Sequence, residues 1–461
     1  MNDASKPARA SSGLHPGEAL ARTMRQIYDL GLTTTSGGNL SLRDDEGAIW
    51  ITPAGFDKGE LQADQVARVE EGANDGPDGV ESPDIRSMPA PSSELPFHRA
   101  IYSARADIRA VVHAHPVSLV AFSVVQQVPD TRVSAHCHAL CGTVGFAAYA
   151  LPGSLMLGEK IAETFANGFD CVVLENHGVV VGGATLREAF ERLEALDLCA
   201  RTIMRARTIG KERLLSAEDL ALWAEENSAS PPPVSTSAST NKAGDEDALR
   251  LTVCAIARRA MTRRLFTTTQ GALSARLSED AFLLTPLGVP LDRLVPSDLQ
   301  RVDHGGRGSS ELDARQALHG ALYRAYFEVG AIAHGHGDNL AGFSTAGLPL
   351  PARTIPESYI LVREPGSISL RETLRDRALV AGVLCPDRPV ALVCNDGALT
   401  VGASVLDAFD RLEVLEATAA AVIASRPLGE LTPMSDERLI ELREAFFPSG
   451  GFQGAPNGGS S

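Results

Sequence analysis

A layered α/β or α+β fold, built twice in one chain, is what three features of the sequence predict. Segments of helical periodicity alternate with short apolar, strand-like runs. A Ser/Pro/Thr-rich stretch, Asn227 to Asp247, breaks that alternation and holds almost no large apolar residue. Beyond it the earlier sequence returns in order. Thr267–Arg276 lines up without a gap with Thr34–Arg43, 233 positions earlier. Ser309-Ser310-Glu311-Leu312 repeats Ser92 to Leu95, Ala333-His334-Gly335-His336 repeats Val112 to His115, and Phe409 to Glu413 repeats Phe190 to Glu194. A repeat this long means two copies of one domain rather than a solenoid. The expected organisation is a tail over 1–13, a first domain over 14–226, a linker over 227–247, a second domain over 248–447 and a tail over 448–461.

Within the first copy, Glu18 to Leu30 has helical periodicity and stops at Gly31. The turn-rich Thr33–Asn39 leads into two runs, Leu40–Arg43 and Ala48–Thr52, that read as a hairpin, and Pro53-Ala54-Gly55 is a second tight turn. Val66 to Val69 reads as a short strand, and Glu71 to Pro89, rich in Gly, Pro and Asp, as a loop. An amphipathic helix follows Glu94, and a strand then ends in His113-Ala114-His115. Ser118–Val125 and Leu155–Ala166 read as helices, Gly142–Phe146 and Cys171–Leu174 as strands, and Leu186–Ala206 as a long helix.

Composition narrows the function. The 461 residues carry a formal charge of −16, which disfavours nucleic acid or an anionic membrane as the main partner. No apolar run is long enough to span a bilayer. Seven cysteines, an odd number without a CxxC spacing, suggest a reducing compartment, and residues 1–13 lack a signal-like apolar core. A cytoplasmic enzyme acting on a small molecule is the expectation.

The chemistry concentrates between Pro91 and His177. Residues i and i+2 of a strand share a face, so His113 and His115 are neighbours by construction. Glu94 opens the helix that folds back against that strand. A carboxylate beside two imidazoles makes a borderline-to-hard metal site wanting one more ligand, and His177, after another apolar strand, is the candidate. A core histidine is the ordinary reading of any one of these; the set of four outweighs it. Gly38 and Gly55 let backbone N–H groups approach an anion, and Asn39, Thr52, Ser92 and Ser93 add donors. Ser92 and Ser93 precede a helix, where they bind an anion or only cap it. His98 is expected to hydrogen-bond rather than ligate, and His136-Cys137-His138 to be structural rather than part of the cleft.

The ordered series TTSGGNLSLR, ITPAGFDKG, PSSELPFHRAIY, VVHAHP, Tyr149–Pro152–Gly153 and ENHGVVV resembles the class II aldolase/adducin family. The resemblance covers nearly all of 14–207 and, more weakly, 249–425. It implies a three-layer αβα fold around a central, mainly antiparallel sheet. It implies a divalent ion, zinc first with Fe2+, Mn2+ or Co2+ as substitutes, held by His113, His115, His177 and Glu94. In such aldolases the ion polarises the substrate carbonyl and stabilises an enediolate, and the Glu acts as general base. Related sugar-phosphate 4-epimerases carry Asp there, so Glu94 favours a lyase acting on a small sugar phosphate or hydroxy-oxo acid. Ala54 stands where Ser or Thr is common, which leaves a carboxylate as an alternative anion. Family members form cyclic tetramers in which a neighbour's Tyr donates a proton. Tyr149 matches that residue. A homodimer of tandem chains would make a four-domain ring, and alternation of the copies would bring Tyr359 instead. Decarboxylase, dehydratase, epimerase or non-haem iron oxygenase chemistry, and a catalytically silent adducin-like module, are the alternatives.

The second copy departs where the chemistry sits. Asn39 becomes Ala272, Gly37 becomes Gln270, and His177 becomes Asp396. Counting back from His334, the place of Glu94 falls on Arg315, unless a helical turn of four residues is inserted and Glu311 fills it. This copy is expected to support the first rather than to bind a catalytic metal, Asp396 being a weak ligand at best.

Overall fold

The computed structural model describes residues 14–70, 90–227, 243–303 and 312–447. The two tails, most of the linker, the loop 71–89 and Ser309, Ser310 and Glu311 lie outside the described residues. Two compact units divide the chain: Met1–Asp130 with Cys141–Asp197, and Thr131–Leu140 with Leu198–Ser461.

Each unit is built on one seven-stranded sheet. In the first, β1 (Asn39–Arg43), β2 (Ile49–Ile51), β3 (Ala67–Val69), β4 (Ala110–Ala114), β5 (Gly145–Ala147), β6 (Cys171–Leu174) and β7 (Val179–Gly183) lie in the order β3-β2-β1-β4-β7-β6-β5. Every pair is antiparallel except β5 with β6. The second unit repeats the plan with β8 (Ala272–Arg276), β9 (Ala281–Leu284), β10 (Gln300–Asp303), β11 (Ala331–Gly335), β12 (Gly366–Ile368), β13 (Val390–Val393) and β14 (Gly397–Gly402). Its order is β10-β9-β8-β11-β14-β13-β12, with β12 and β13 the parallel pair. The fold is α/β in two tandem copies, as expected. The hairpin and the helix Leu155–Ala166 fall where periodicity put them, whereas β7 and the helices Ala135–Cys141 and Ala217–Asn227 were not anticipated.

The helices sit where their apolar faces require. Leu157, Ile161 and Phe165 recur every four residues and are buried on one side of the helix Leu155–Ala166. They meet Phe97 and Ile101 of the helix Leu95–Ala104 and Val111 and Val172 of the sheet in one cluster. Ser154 starts the outer helix by accepting the Leu157 N–H at 3.2 Å. The compact units do not divide at the Ser/Pro-rich stretch. Ala135 and Leu215 pack with Ala314, Leu370 and Leu374, and Leu220, Leu222 and Trp223 lie against them, so residues 131–140 and the helix Ala217–Asn227 belong with the second unit. All seven cysteines are free, and among the described residues no helix is long and apolar enough to cross a membrane.

One acid of the long helix recurs in both copies, Asp197 in Leu186–Ile209 and Glu416 in Val405–Ser425, and reaches the start of the helix after the histidine strand. Ser118 donates to Asp197 at 2.5 Å in the first. In the second, Glu416 accepts from the N–H groups of Asn339 (3.1 Å) and Leu340 (2.8 Å) and from Asn339 Nδ2 (2.6 Å). Burial pushes Glu416 up to about 7; the Asp338 charge acts the same way and the three donors oppose it. Asp338 is itself paired with Arg201 at 3.0 Å. A raised carboxyl pKa contributes stability that is complete below the ordinary carboxylate range and is lost as pH rises through about 7. The loss expected between pH 4.5 and 8 is on the order of 3 kcal/mol. Thermal melts over that range should show it in the wild type, and Glu416→Gln should flatten it; an unchanged slope in the variant would assign the titration elsewhere.

Candidate metal centre

Three separate elements deliver the first cluster. β4 carries His113 at its core and His115 just past its end. Glu94 caps the helix Leu95–Ala104, and His177 lies in the turn between β6 and β7. The Nε2 atoms of His113 and His115 are 3.0 Å apart. Glu94 Oε2 lies 3.4 Å from His113 Nε2, and Glu94 Oε1 lies 3.8 Å from His177 Nε2. Bonds of 2.0–2.1 Å to a tetrahedral ion put neighbouring ligand atoms about 3.3 Å apart, within the span of these distances.

The donor set fits a cation on its electronics as well. His113 Nδ1 donates to the Val179 carbonyl at 3.0 Å, which leaves the Nε2 lone pair facing the Glu94 carboxylate. Burial pushes both His113 and His115 down to about 3, with neighbouring imidazoles acting in the same direction. The two rings are therefore neutral near pH 7, and the His113–Glu94 approach is a contact of two acceptors rather than a salt bridge. Glu94 Oε1 is buried without any hydrogen-bond partner among the described residues. A buried carboxylate oxygen aimed at lone pairs is costly unless a positive ion lies between them.

Backbone geometry makes the closeness feasible. Gly38 has φ +72°, and a Cβ there would stand 2.5 Å from the His113 carbonyl. A Cβ on Gly178 would meet the His115 ring at 2.5 Å. Both positions need glycine, the first for conformation and the second for room.

Behind the cluster runs a chain of buried hydrogen bonds. Asn39 Nδ2 donates to Glu94 Oε2 at 2.7 Å, and Asn39 Oδ1 meets His98 Nε2 at 2.5 Å. His98 Nδ1 meets Ser41 Oγ at 2.6 Å, and Ser41 meets the Tyr102 hydroxyl at 2.7 Å. His98 thus hydrogen-bonds, as the sequence suggested, and Asn39 braces the carboxylate instead of lying open to an anion.

The other expected residues separate. Thr52 is fully buried and accepts the Leu40 N–H at 3.0 Å; Thr285 does the same for Leu273 at 3.1 Å, so this hydroxyl serves the sheet. Ser92 Oγ accepts the Glu94 N–H at 3.3 Å, a local cap. Ser93 is exposed, and Gly55, at φ +76°, has open space where a side chain would be. Tyr149 is 57% exposed, its N–H held by Glu175 at 2.8 Å and its carbonyl by Lys160 at 2.6 Å. Tyr359 is 4% exposed, and its hydroxyl is bonded to Arg443 of the helix Asp436–Phe446. That placement runs against the expectation that Tyr359 donates a proton, because the hydroxyl is covered by its own chain.

The second copy holds a different cluster. His334, His336 and Asp396 bring ligand atoms within 4.8 Å of one another. His334 Nε2 meets the Asp396 backbone carbonyl at 3.0 Å and its carboxylate at 3.5 Å, while His336 Nε2 lies 3.3 Å from the other carboxylate oxygen. His113 spends its Nδ1 on a carbonyl; His334 spends Nε2, the atom a ligand would need. Arg315 lies on the first turn of the helix Ala314–Ala325, and its Nε and Nη2 are buried without partners among the described residues. Ala272 has no amide to offer, and His319 Nε2 has no partner among the described residues where His98 meets Asn39. His136 was expected to be structural; it lies half-buried beside this cluster, bonds Thr269 at 3.1 Å, and is pushed down to about 4 by desolvation and by His336. His138 bonds Thr131 at 2.9 Å, a local tie.

Comparison with known proteins bears on both copies. The family model described as class II aldolase and adducin N-terminal domain matches residues 18–204 and again 252–423. A 3-oxo-tetronate 4-phosphate decarboxylase of Pectobacterium atrosepticum is 33% identical over 202 residues, 42% of this chain and 86% of that protein. An L-fuculose phosphate aldolase of Methanococcus maripaludis is 31% identical over 177 residues, 38% of this chain and 89% of that protein. A solved L-fuculose 1-phosphate aldolase shares 28% identity, covering 48% of this chain and 98% of that one at a TM-score of 0.39. The chain belongs to the class II aldolase and adducin family, as a tandem duplication of its domain.

Proposed function

We propose that the first copy is a divalent-metal-dependent lyase that cleaves a carbon–carbon bond next to a carbonyl in a small phosphorylated polyol or sugar acid. The observation that carries this reading is the cluster of three imidazoles, two of them within 3.8 Å of a buried carboxylate whose Oε1 has no hydrogen-bond partner among the described residues. His113, His115, His177 and Glu94 would hold the ion, with zinc suited to this nitrogen-rich set. The ion, when bound, supplies Lewis acidity at the substrate carbonyl. Glu94 would take the substrate proton on Oε1 while Asn39 keeps Oε2 in place. Tyr149, exposed beside Leu151, Leu155 and Met156, would return a proton in the site of a neighbouring copy. That apolar surface supports a homo-oligomer. The second copy, with Arg315 and Ala272 in place of Glu94 and Asn39, would act as a structural neighbour.

Decarboxylation of a phosphorylated 3-oxo acid is the second reading, favoured by the relative at 33% identity. Aldol cleavage and decarboxylation both leave the bonding electron pair beside the carbonyl, so one site serves either. The test is metal analysis of protein purified without chelators, followed by a screen of ketose phosphates, 4-hydroxy-2-oxo acids and phosphorylated 3-oxo acids, with His113→Ala as blank. One ion per chain and turnover absent from the blank are expected. Tyr149→Phe should lower turnover by about a hundredfold, and Tyr359→Phe should leave it near wild type. Metal-free protein, or turnover equal in the blank, would overturn the reading.

A further inference from the structure

Lys58 is an interior lysine with no acidic partner among the described residues. It is 3% exposed, and its ammonium donates to the Pro53 carbonyl at 2.9 Å. None of the ion pairs among the described residues involves it. Burial lowers its pKa, and no neighbouring carboxylate counters that fall. An ammonium has three donors and tolerates burial only when they are used and its charge is met.

Its position explains what could meet that charge. The Lys58 N–H donates to the Thr35 carbonyl at 3.0 Å, tying it to the turn that ends in Gly37 and Gly38. Those glycines abut the metal strand: a Cβ on Gly37 would stand 2.8 Å from His115 Nδ1, and one on Gly38 2.5 Å from the His113 carbonyl. Pro53, which holds the ammonium, bridges to Pro91, immediately before Ser92, Ser93 and Glu94. Lys58 therefore links two loops of the anion-binding set, the Thr35 turn through its N–H and Pro53 through its ammonium, and Pro53 links to the third at Pro91. Of the side chains expected to serve an anion there, Thr52 accepts the Leu40 N–H, Ser92 accepts the Glu94 N–H, Ala54 has no hydroxyl, and none of them carries a positive charge.

The repeat supplies a built-in control. Leu291 occupies the place of Lys58, is equally buried, and makes the same backbone bond, to Thr268 at 3.2 Å. The loop therefore forms without a lysine. The charge is confined to the copy whose four metal-ligand candidates are intact.

We propose that Lys58 is the charge partner of the substrate's anionic tail, a terminal phosphate, and so sets which end of the substrate faces away from the metal candidates. This rests on the lyase reading given above. The tail would accept hydrogen bonds from the ammonium and from the loop N–H groups around Gly38, Gly55 and Ser93. Lys58 is a binding and specificity residue and takes no part in bond cleavage.

The test uses the full chain, loaded with zinc, and inorganic phosphate as probe. Phosphate affinity is measured by calorimetry for wild type, Lys58→Leu and Lys58→Arg, with metal content and melting temperature measured alongside. Lys58→Leu, which copies the second repeat, is expected to fold, to keep its metal, and to bind phosphate roughly tenfold to a hundredfold more weakly. Lys58→Arg should retain part of the affinity. Equal phosphate binding by wild type and Lys58→Leu would overturn the role of Lys58 while leaving the lyase reading intact. Absence of phosphate binding in metal-loaded wild type would overturn the assignment of a phosphate tail, and with it this role. Loss of metal from Lys58→Leu would show that the lysine supports the fold of the site instead.

Discussion

Replacing His177 by alanine is expected to abolish metal binding by the chain and to lower carbon–carbon cleavage by about a thousandfold or more, with little change in melting temperature. His177 stands in a turn, and its side chain keeps 21% of its surface exposed, so truncation removes a ligand but little packing. His113→Ala should cause the same loss with an added stability cost of about 1–3 kcal/mol. That ring is fully buried, bonds Val179 and lies edge-on to Phe97 at 5.6 Å. The rear cluster supplies the contrast. His336→Ala and Asp396→Asn should leave metal content at one ion per chain, because His334 already directs Nε2 to Asp396 and the Arg315 guanidinium is buried without partners among the described residues at Nε and Nη2. Elemental analysis after exhaustive dialysis checks all four variants at once. Two ions per chain in the wild type, falling to one in either rear variant, would mean that both copies bind metal.

Much of this arrangement was legible in the residues because it depends on local spacing. Two histidines on alternate residues of a strand must share a face, and the turn Glu175-Asn176-His177-Gly178 after an apolar four-residue strand lies at the strand ends of the sheet, between β6 and β7. Asn176 adopts φ +53° there, and Asn395 at the same place in the second copy adopts φ +63°; asparagine tolerates this conformation better than most residues. The duplication was legible for the same reason, since matched turns and strands recur in register.

What escaped the sequence depends on tertiary choices among equivalent partners. Asn39 has donors suited equally to an anion and to a carboxylate, and only packing against the helix Leu95–Ala104 commits it to Glu94 and His98. Thr52 sits in an anion-like turn, yet its hydroxyl satisfies the Leu40 N–H, a debt visible only once β1 and β2 pair. Lys58 reads as an ordinary surface lysine until the turn folds it inward. Residues 131–140 looked like part of the first domain because they lie within its span. Their partners Leu215, Ala314 and Leu370 lie far along the chain, and no local pattern announces such packing. The covering of Tyr359 escaped for a related reason: Arg443, which bonds its hydroxyl from the helix Asp436–Phe446, lies far along the chain.

Glu94→Gln separates the two roles of the carboxylate. The amide keeps the shape and can still accept from Asn39 through its carbonyl oxygen. It then places an NH2 where Oε1 stood, facing His177 Nε2, while the carbonyl oxygen keeps the Oε2 place beside His113. Metal affinity should fall about tenfold to a hundredfold, and turnover at saturating metal should fall by about a hundredfold to ten-thousandfold. Asn39→Ala is the companion. It reproduces the rear copy, where Ala272 leaves the His319 Nε2 unpartnered, and the fold there survives. It should therefore fold, lose roughly 1–3 kcal/mol for the orphaned groups, and lose less turnover than Glu94→Gln, because the base remains while its brace is gone. The measurement is kcat at saturating metal for both variants. A Glu94→Gln protein that turns over normally once its ion is bound would leave Glu94 as a ligand alone and return the proton transfer to another group.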